Sequence, residues 1–266
     1  MGILNVTPDS FYDGGRYADY DSAIRRAHDI ADEGADFLDI GGESSRPGAA
    51  PVPVQEEIDR VCPVIEYISR NINIEISVDT TKSAVADAAL RAGASIINDI
   101  SGLCHDESMA SVIAAFNAGA VIMHMRGTPQ TMQHDTVYGN VVNEVYKFLR
   151  DSVERAVEKG IQREKIILDP GIGFGKSVED NYTLVKNAAY FKSLGLPLLI
   201  GVSRKSMIGR LFEGDFDRLP ATIALHAAAA LNGADIVRVH DVKAHRLALA
   251  AIEMLQRAPG AHGNSF

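Results

Sequence analysis

Short apolar runs and longer stretches of helical period alternate along the whole chain. The runs predict strands at Ile3 to Asn5, Phe37 to Ile40, Glu75 to Asp79, Ile96 to Asp99, Val121 to His124, Ile166 to Asp169, Leu198 to Gly201 and Ile236 to Val239. The segments between them are amphipathic or alanine-rich, as helices covering a parallel sheet must be. Four helix-to-strand joints carry the same dipeptide, Gly34-Ala35, Gly93-Ala94, Gly119-Ala120 and Gly233-Ala234, each where a helix needs a left-handed terminal residue. The run Ala227 to Ala230 predicts a helix packed closely on the sheet. No Pro/Ser-rich linker or charge run interrupts the pattern, which predicts one α/β domain over residues 1–266, a single (β/α)8 TIM barrel. A doubly wound open sheet is the alternative.

Composition narrows the class without changing the architecture. The 266 residues are 46% hydrophobic and 23% charged, ordinary for a globular domain with a sizeable core. A net charge of -9 repels an extended phosphate backbone, so nucleic acid is not an expected partner, although a local basic pocket can still hold one small anion. Two cysteines, Cys62 and Cys104, make no disulfide framework and fit a reducing compartment, with the cytoplasm as default. The opening MGILNVTPDS has neither the basic nor the apolar part of a signal peptide, and no stretch is long enough to span a membrane.

The candidate chemistry lies where the strands end. All strands of such a barrel point one way, so Asn5, Asp39, Asp79, Asn98 with Asp99, His124, Asp169, the Ser203-Arg204-Lys205 loop and Arg238 with His240 should share one rim. Asp and Asn also favour helix N-caps, and that reading stays open for these positions. The connections after the first two strands, NVTPDSFYDGGRY and GGESSRPGAAPVP, have the make-up of long mobile active-site loops. Arg46, in the second, offers a fork for phosphate oxygens, with Asn5 and His240 able to complete an anion site; an exposed salt bridge is its other reading. The run LDPGIGFGKS superficially matches a nucleotide P-loop. Pro170 stands where the first glycine should be and removes both a donor and a conformation, so the stretch reads instead as Asp169 followed by a glycine-rich loop that lets a ligand approach. No zinc-ligand spacing or nucleophile elbow is present; oxygen donors suit a weakly held Mg²⁺ bridging a phosphate. The set as a whole suits a hydrogen-bonding heterocycle carrying a phosphate group.

In strand order, the motifs MGILNVTPDSF, DIGGESSRPGA, SVDT, INDISG, MHMRGTPQTMQ, LDPGIGFGK, GVSRKSMIG and RVHDV resemble those of the dihydropteroate synthases across essentially the whole chain. The resemblance implies a folate-pathway transferase joining 6-hydroxymethyl-7,8-dihydropterin diphosphate to p-aminobenzoate, by an SN1-like loss of diphosphate. It implies pterin contacts from Asp79, Asn98, Met123, Asp169 and Lys205, and diphosphate contacts from Asn5, Arg46 and His240, with Asn5 also meeting Mg²⁺. Ser45, Pro47, Phe174, Lys205 and Ser206 would surround p-aminobenzoate. Asp39, Asp79, Arg46, Lys205 and His240 would form the catalytic set, with Asp39 and Asp79 as negative neighbours of the cation left on the pterin methylene. A homodimer is the assembly the resemblance leads one to expect.

The chain opens at the first strand motif, whereas members of this family usually carry a preceding segment that closes the barrel floor. Ser45 stands where many members have threonine, and Ile172 where some have phenylalanine; both changes are mild. Three rival functions share parts of the pattern. A pterin-binding methyltransferase domain would have no need of Arg46, His240 and the RKS loop, and an inactive pterin-binding paralogue would keep the rim without turnover. A metal-dependent aldolase barrel would want a Schiff-base lysine inside a strand or a His-rich site, neither of which is present.

Overall fold

The computed structural model describes residues 1–7, 16–46, 48–210 and 216–259. Six strands, β1 (Gly2–Asn5), β2 (Phe37–Gly41), β3 (Glu75–Asp79), β4 (Ile96–Asp99), β5 (Gly119–Met123) and β6 (Ile166–Asp169), form one parallel sheet in chain order. A further parallel pair, β7 (Leu199–Ile200) and β8 (Ile236–Val237), completes the set. Bridges join the two sheets on both sides: Leu168 pairs with Leu198, and Gly2 with Val239. Leu168 N donates to Pro197 O at 2.9 Å and Ile3 N to Val239 O at 2.9 Å, so neither edge is left open. This closure makes the sheet a barrel and removes the open doubly wound alternative.

Helices α1 (Arg16–Asp32), α2 (Val54–Asn71), α3 (Ser83–Ala92), α4 (Met109–Ala115), α5 (Val141–Glu158), α6 (Val178–Lys186), α7 (Ala188–Lys192), α8 (Ser206–Gly209), α9 (Leu219–Leu231) and α10 (Val242–Arg257) follow the strands in turn. Side chains alternate across each strand, so one set meets the helices and the other fills the barrel. Leu38, Ile40, Ile76, Val78, Ile97, Ala120, Ile122, Leu168 and Ile200 belong to the large core between strands and helices. The inward set begins with an apolar layer of Ile96, Val121, Ile167 and Leu199, against which Phe37 and Ile236 pack. Two residues further along the same strands stand Asp39, Asn98, Met123, Asp169 and Arg238, so period-2 geometry alone puts a polar layer above an apolar floor.

Three of the four Gly-Ala joints carry the expected left-handed glycine: Gly34 at φ 90°, Gly93 at 118° and Gly233 at 96°. Before β5 that conformation is taken by Asn117 at φ 53°, since asparagine tolerates it. Gly119 is needed for space instead; a Cβ there would lie 3.1 Å from Ile96 Cγ1. Of Ala227 to Ala230 only Ala229 is fully buried, because the face of α9 turned to the barrel is led by Thr222 and His226. Cys62 and Cys104 are free thiols, and no helix among the described residues is long and apolar enough to cross a membrane.

Candidate active site

The polar layer is organised by one arginine. Arg238 Nε donates to Asp39 Oδ2 at 2.6 Å and Arg238 Nη2 to Asp79 Oδ2 at 3.0 Å, so a single guanidinium spans carboxylates from β2 and β3. Asp39 is completely buried, and its remaining capacity is taken by Ser77 Oγ at 2.6 Å and Asn98 Nδ2 at 3.0 Å. The bond to a carboxylate fixes which end of the Asn98 amide is the donor, and its Oδ1 is left buried with no hydrogen-bond partner among the described residues. Asn5, Gly41, Asp79 and Asn98 lie in one register row across four strands. A Cβ on Gly41 would come 3.6 Å from Asp79 Cβ and 3.7 Å from Asn5 Oδ1, so Asn5 and Asp79 flank the same point of the mouth.

Asp169 faces this row from the other side of the barrel, beside Met123 in register. Its Oδ1 accepts the Gly171 amide at 2.7 Å, which aims the carboxylate. Burial raises its pKa, against the pull of Lys205, Lys176 and Arg238. Lys205 Nζ donates to Ile172 O and sits 4.5 Å from the centre of the Phe174 ring. Burial brings Lys205 down to about 8, opposed by Asp169 and Asp79. Burial likewise pushes Asp79 up to about 7, against Arg238 and helped by Asp39. Lys205 is thus within reach of both Asp79 and Asp169 in one bowl.

The anion end lies at β8. Ser203 Oγ is 2.9 Å from His240 Nδ1 and accepts the His240 amide at 3.2 Å, so a hydroxyl proton on Nδ1 leaves Nε2–H as the free donor. Burial, with Arg238, Arg204 and Arg46 adding to it, pulls His240 down to about 4, so the ring is neutral at pH 7. Arg46 is exposed, its charge reaches His240, and among the described residues it forms no ion pair. Ser45 lines a cavity of about 370 Å³ shared with Asp79, Lys82, Thr128 and Phe148. The loop carrying Ser45 and Arg46 is tied at both ends by Lys82, which donates to Glu43, to Glu57 at 2.5 Å and to Val52 O at 2.8 Å.

The sequence profile of the pterin-binding enzymes matches residues 1–240. A dihydropteroate synthase of Bacillus subtilis is 46% identical over 99% of this chain and 90% of its own. The chain belongs to the dihydropteroate synthase family. Solved structures of family members superpose closely. The Xanthomonas albilineans dihydropteroate synthase with 4-aminobenzoic acid gives a TM-score of 0.91 at 42% identity, covering 97% of this chain and 93% of that one. The Yersinia pestis dihydropteroate synthase with a sulfonamide drug gives 0.91 at 43%, covering 97% and 94%.

Within this dihydropteroate synthase framework the sequence-predicted residues separate into three groups. Asp79, Asn98, Met123, Asp169 and Lys205 meet in the bowl; Asn5, Arg46 and His240 stand on its rim, with Phe174 and exposed Ser206 beside Lys205. Pro47 and residues 8–15 of the first loop lie outside the described residues. Asp39 does not face a ligand as expected: with no exposed surface and three hydrogen bonds, it orients Arg238 and Asn98. Among the described residues none of Asp39, Asp79 and Asp169 caps a helix, and the side-chain caps are Asn140 on α5 and Ser177 on α6.

Arg238 falls on the rim in the sequence, where nothing marks it for a role beyond its parity with Ile236, which points both side chains inward. Gly171, Gly173 and Gly175 all have positive φ, and the groups that approach them closely belong to the protein: His124 O at Gly171 and the Lys205 side chain at Gly173.

Proposed function

We infer that the chain is a transferase that joins 6-hydroxymethyl-7,8-dihydropterin diphosphate to p-aminobenzoate, giving 7,8-dihydropteroate and diphosphate. The observation that carries this reading is the inward polar layer: the buried, unmet Asn98 Oδ1, the Asp169 carboxylate and the Arg238-held Asp79 converge above an apolar floor. A flat bicycle with an edge of N–H donors satisfies them. Asp169 accepts from a ring N–H and the adjacent amino group, Asn98 Oδ1 accepts another N–H, and Met123 packs on the ring face.

Arg46, the Nε2–H of His240 and Asn5 hold the diphosphate. As the methylene C–O bond breaks, its electron pair leaves with the diphosphate, whose growing charge these donors neutralise. The amine of p-aminobenzoate, lying between Phe174, Lys205, Ser45 and Ser206, forms the new C–N bond and gives up a proton to solvent. The carboxylate of Asp79 is the negative neighbour of the transient methylene cation, and Asp39 serves it by holding Arg238.

The donor set fits Mg²⁺ in a limited way. No cluster of three His, Cys, Asp or Glu able to cage a metal occurs among the described residues, so Asn5 would supply one oxygen and the diphosphate most of the rest. Bound there, the ion would neutralise charge on the leaving group. Two coarser expectations join this reading. The free thiols suit a reducing cytoplasm, and exposed Leu231 on α9 with Leu247, Met254 and Leu255 on α10 supply apolar surface for a homodimer.

Purified protein given the pterin diphosphate, p-aminobenzoate and Mg²⁺ should release diphosphate and form dihydropteroate in equal amounts. Pterin binding without turnover would overturn the assignment in favour of an inactive pterin-binding protein.

A further inference from the structure

Lys176 is a buried amine at the heart of the site to which the reaction above gives no task, and burial pulls its pKa well below the ordinary lysine value. It is the lysine that made LDPGIGFGKS resemble a P-loop, yet it is 4% exposed and turned into the protein. Its Nζ lies 2.8 Å from Gly171 O, 2.9 Å from Phe174 O, 2.9 Å from His124 Nδ1 and 3.2 Å from His124 O. Those acceptors come from the end of β5 and from the turn that follows β6, where Tyr138 Oη, from the connection after β5, also donates to Gly175 O at 2.8 Å.

The same turn carries both recognition groups. Gly171 N orients Asp169, Ile172 O holds Lys205 Nζ, and the Phe174 ring lies beneath that ammonium. Three glycines with positive φ among five residues make the turn costly to order, and two of its carbonyls, with that of His124, point at one spot, where they are left unsatisfied unless a hydrogen-bond donor stands between them. His124 is itself fixed, edge-on to Phe148 at 4.9 Å, and accepts at Nδ1, so its proton resides on Nε2.

We propose that Lys176 is a positioning residue for pterin recognition: its Nζ, by hydrogen bonds, gathers the turn after β6 against His124, so that Asp169 and Lys205 are presented to the heterocycle together. The proposal rests on the pterin reading of this pocket. It predicts a split: loss of the amine damages heterocycle binding and leaves the anion end, which β8 and the second loop hold, intact.

The test compares wild type with Lys176→Met by calorimetry, using 6-hydroxymethylpterin and, separately, inorganic diphosphate with Mg²⁺, alongside thermal melting. In a variant that melts cooperatively, pterin affinity should fall about tenfold or more, as expected when the support of a binding group is loosened, with diphosphate affinity within about twofold of wild type. Unchanged pterin affinity, or equal loss of both ligands, would overturn the proposal alone. Wild-type protein that binds no pterin would overturn the functional reading and this proposal with it. Should Lys176→Met fail to fold, ¹⁵N NMR of wild type decides: His124 with an unprotonated, hydrogen-bonded Nδ1 is expected, and a proton on Nδ1 would overturn the arrangement.

Discussion

Replacing Arg238 with methionine tests how the polar layer is held. The guanidinium contacts Asp39, which has no exposed surface, and Asp79, whose side chain is 13% exposed, so its removal leaves two neighbouring carboxylates without their cation. Breaking a buried pair in this way costs about 3–5 kcal/mol when the remaining charge stays in place. The pair can soften that cost by keeping a proton, which makes the deficit depend on pH. In wild type, Asp79 titrates at about 7, above the ordinary carboxylate value, so its contribution is full at low pH and is lost as pH rises through 7. Between about pH 6 and pH 8 that amounts to on the order of 1 kcal/mol; in the variant, where the pair holds its proton throughout, the loss is about twice as large. Urea unfolding of both proteins at the two pH values should therefore show a deficit that widens by on the order of 1 kcal/mol at the higher pH. A deficit below about 1 kcal/mol, or one equal at both pH values, would refute the idea that Arg238 neutralises both carboxylates.

Other consequences follow from the same geometry. Arg46→Ala should lower kcat by about a hundredfold or more while sparing affinity for a pterin that lacks the diphosphate, since its charge meets only the leaving group; equal losses would count against that role. The acid limb near pH 7 in the profile of kcat/KM for the pterin substrate should vanish in Asp79→Asn, because the limb reports the proton that competes with Arg238 for this carboxylate. Saturating diphosphate should raise the His240 pKa from about 4, since an anion at Nε2 favours the charged ring; NMR titration showing no change would remove His240 from the anion site.

Much of this was legible in the sequence because barrel strands are short, apolar and end in the residues that work. Each of the eight strands appears where its apolar run predicts, and period 2 along Ile167-Leu168-Asp169 already separates pocket from core. What was hidden is pairing at long range. Asp39 and Arg238 are 199 residues apart, and nothing local distinguishes a carboxylate facing a ligand from one spent on an arginine. Lys176 was hidden differently: its neighbours in sequence advertise an exposed phosphate loop, and only the fold reveals that the carbonyls of Gly171, Phe174 and His124 close around it. The strand β7 shrank to two residues because its partners at both ends are isolated bridges and loop amides, which an apolar run cannot foretell.

The central claim is that the inward layer above the apolar floor is where the heterocycle is recognised, with Asp169 as its main acceptor. Titrating 6-hydroxymethylpterin into wild type and Asp169→Asn tests it most directly. Two hydrogen bonds to a carboxylate are at stake, each worth about 1.5–3 kcal/mol, so affinity should fall at least a hundredfold or so in the variant. An Asp169→Asn protein that binds the pterin as tightly as wild type would contradict the account.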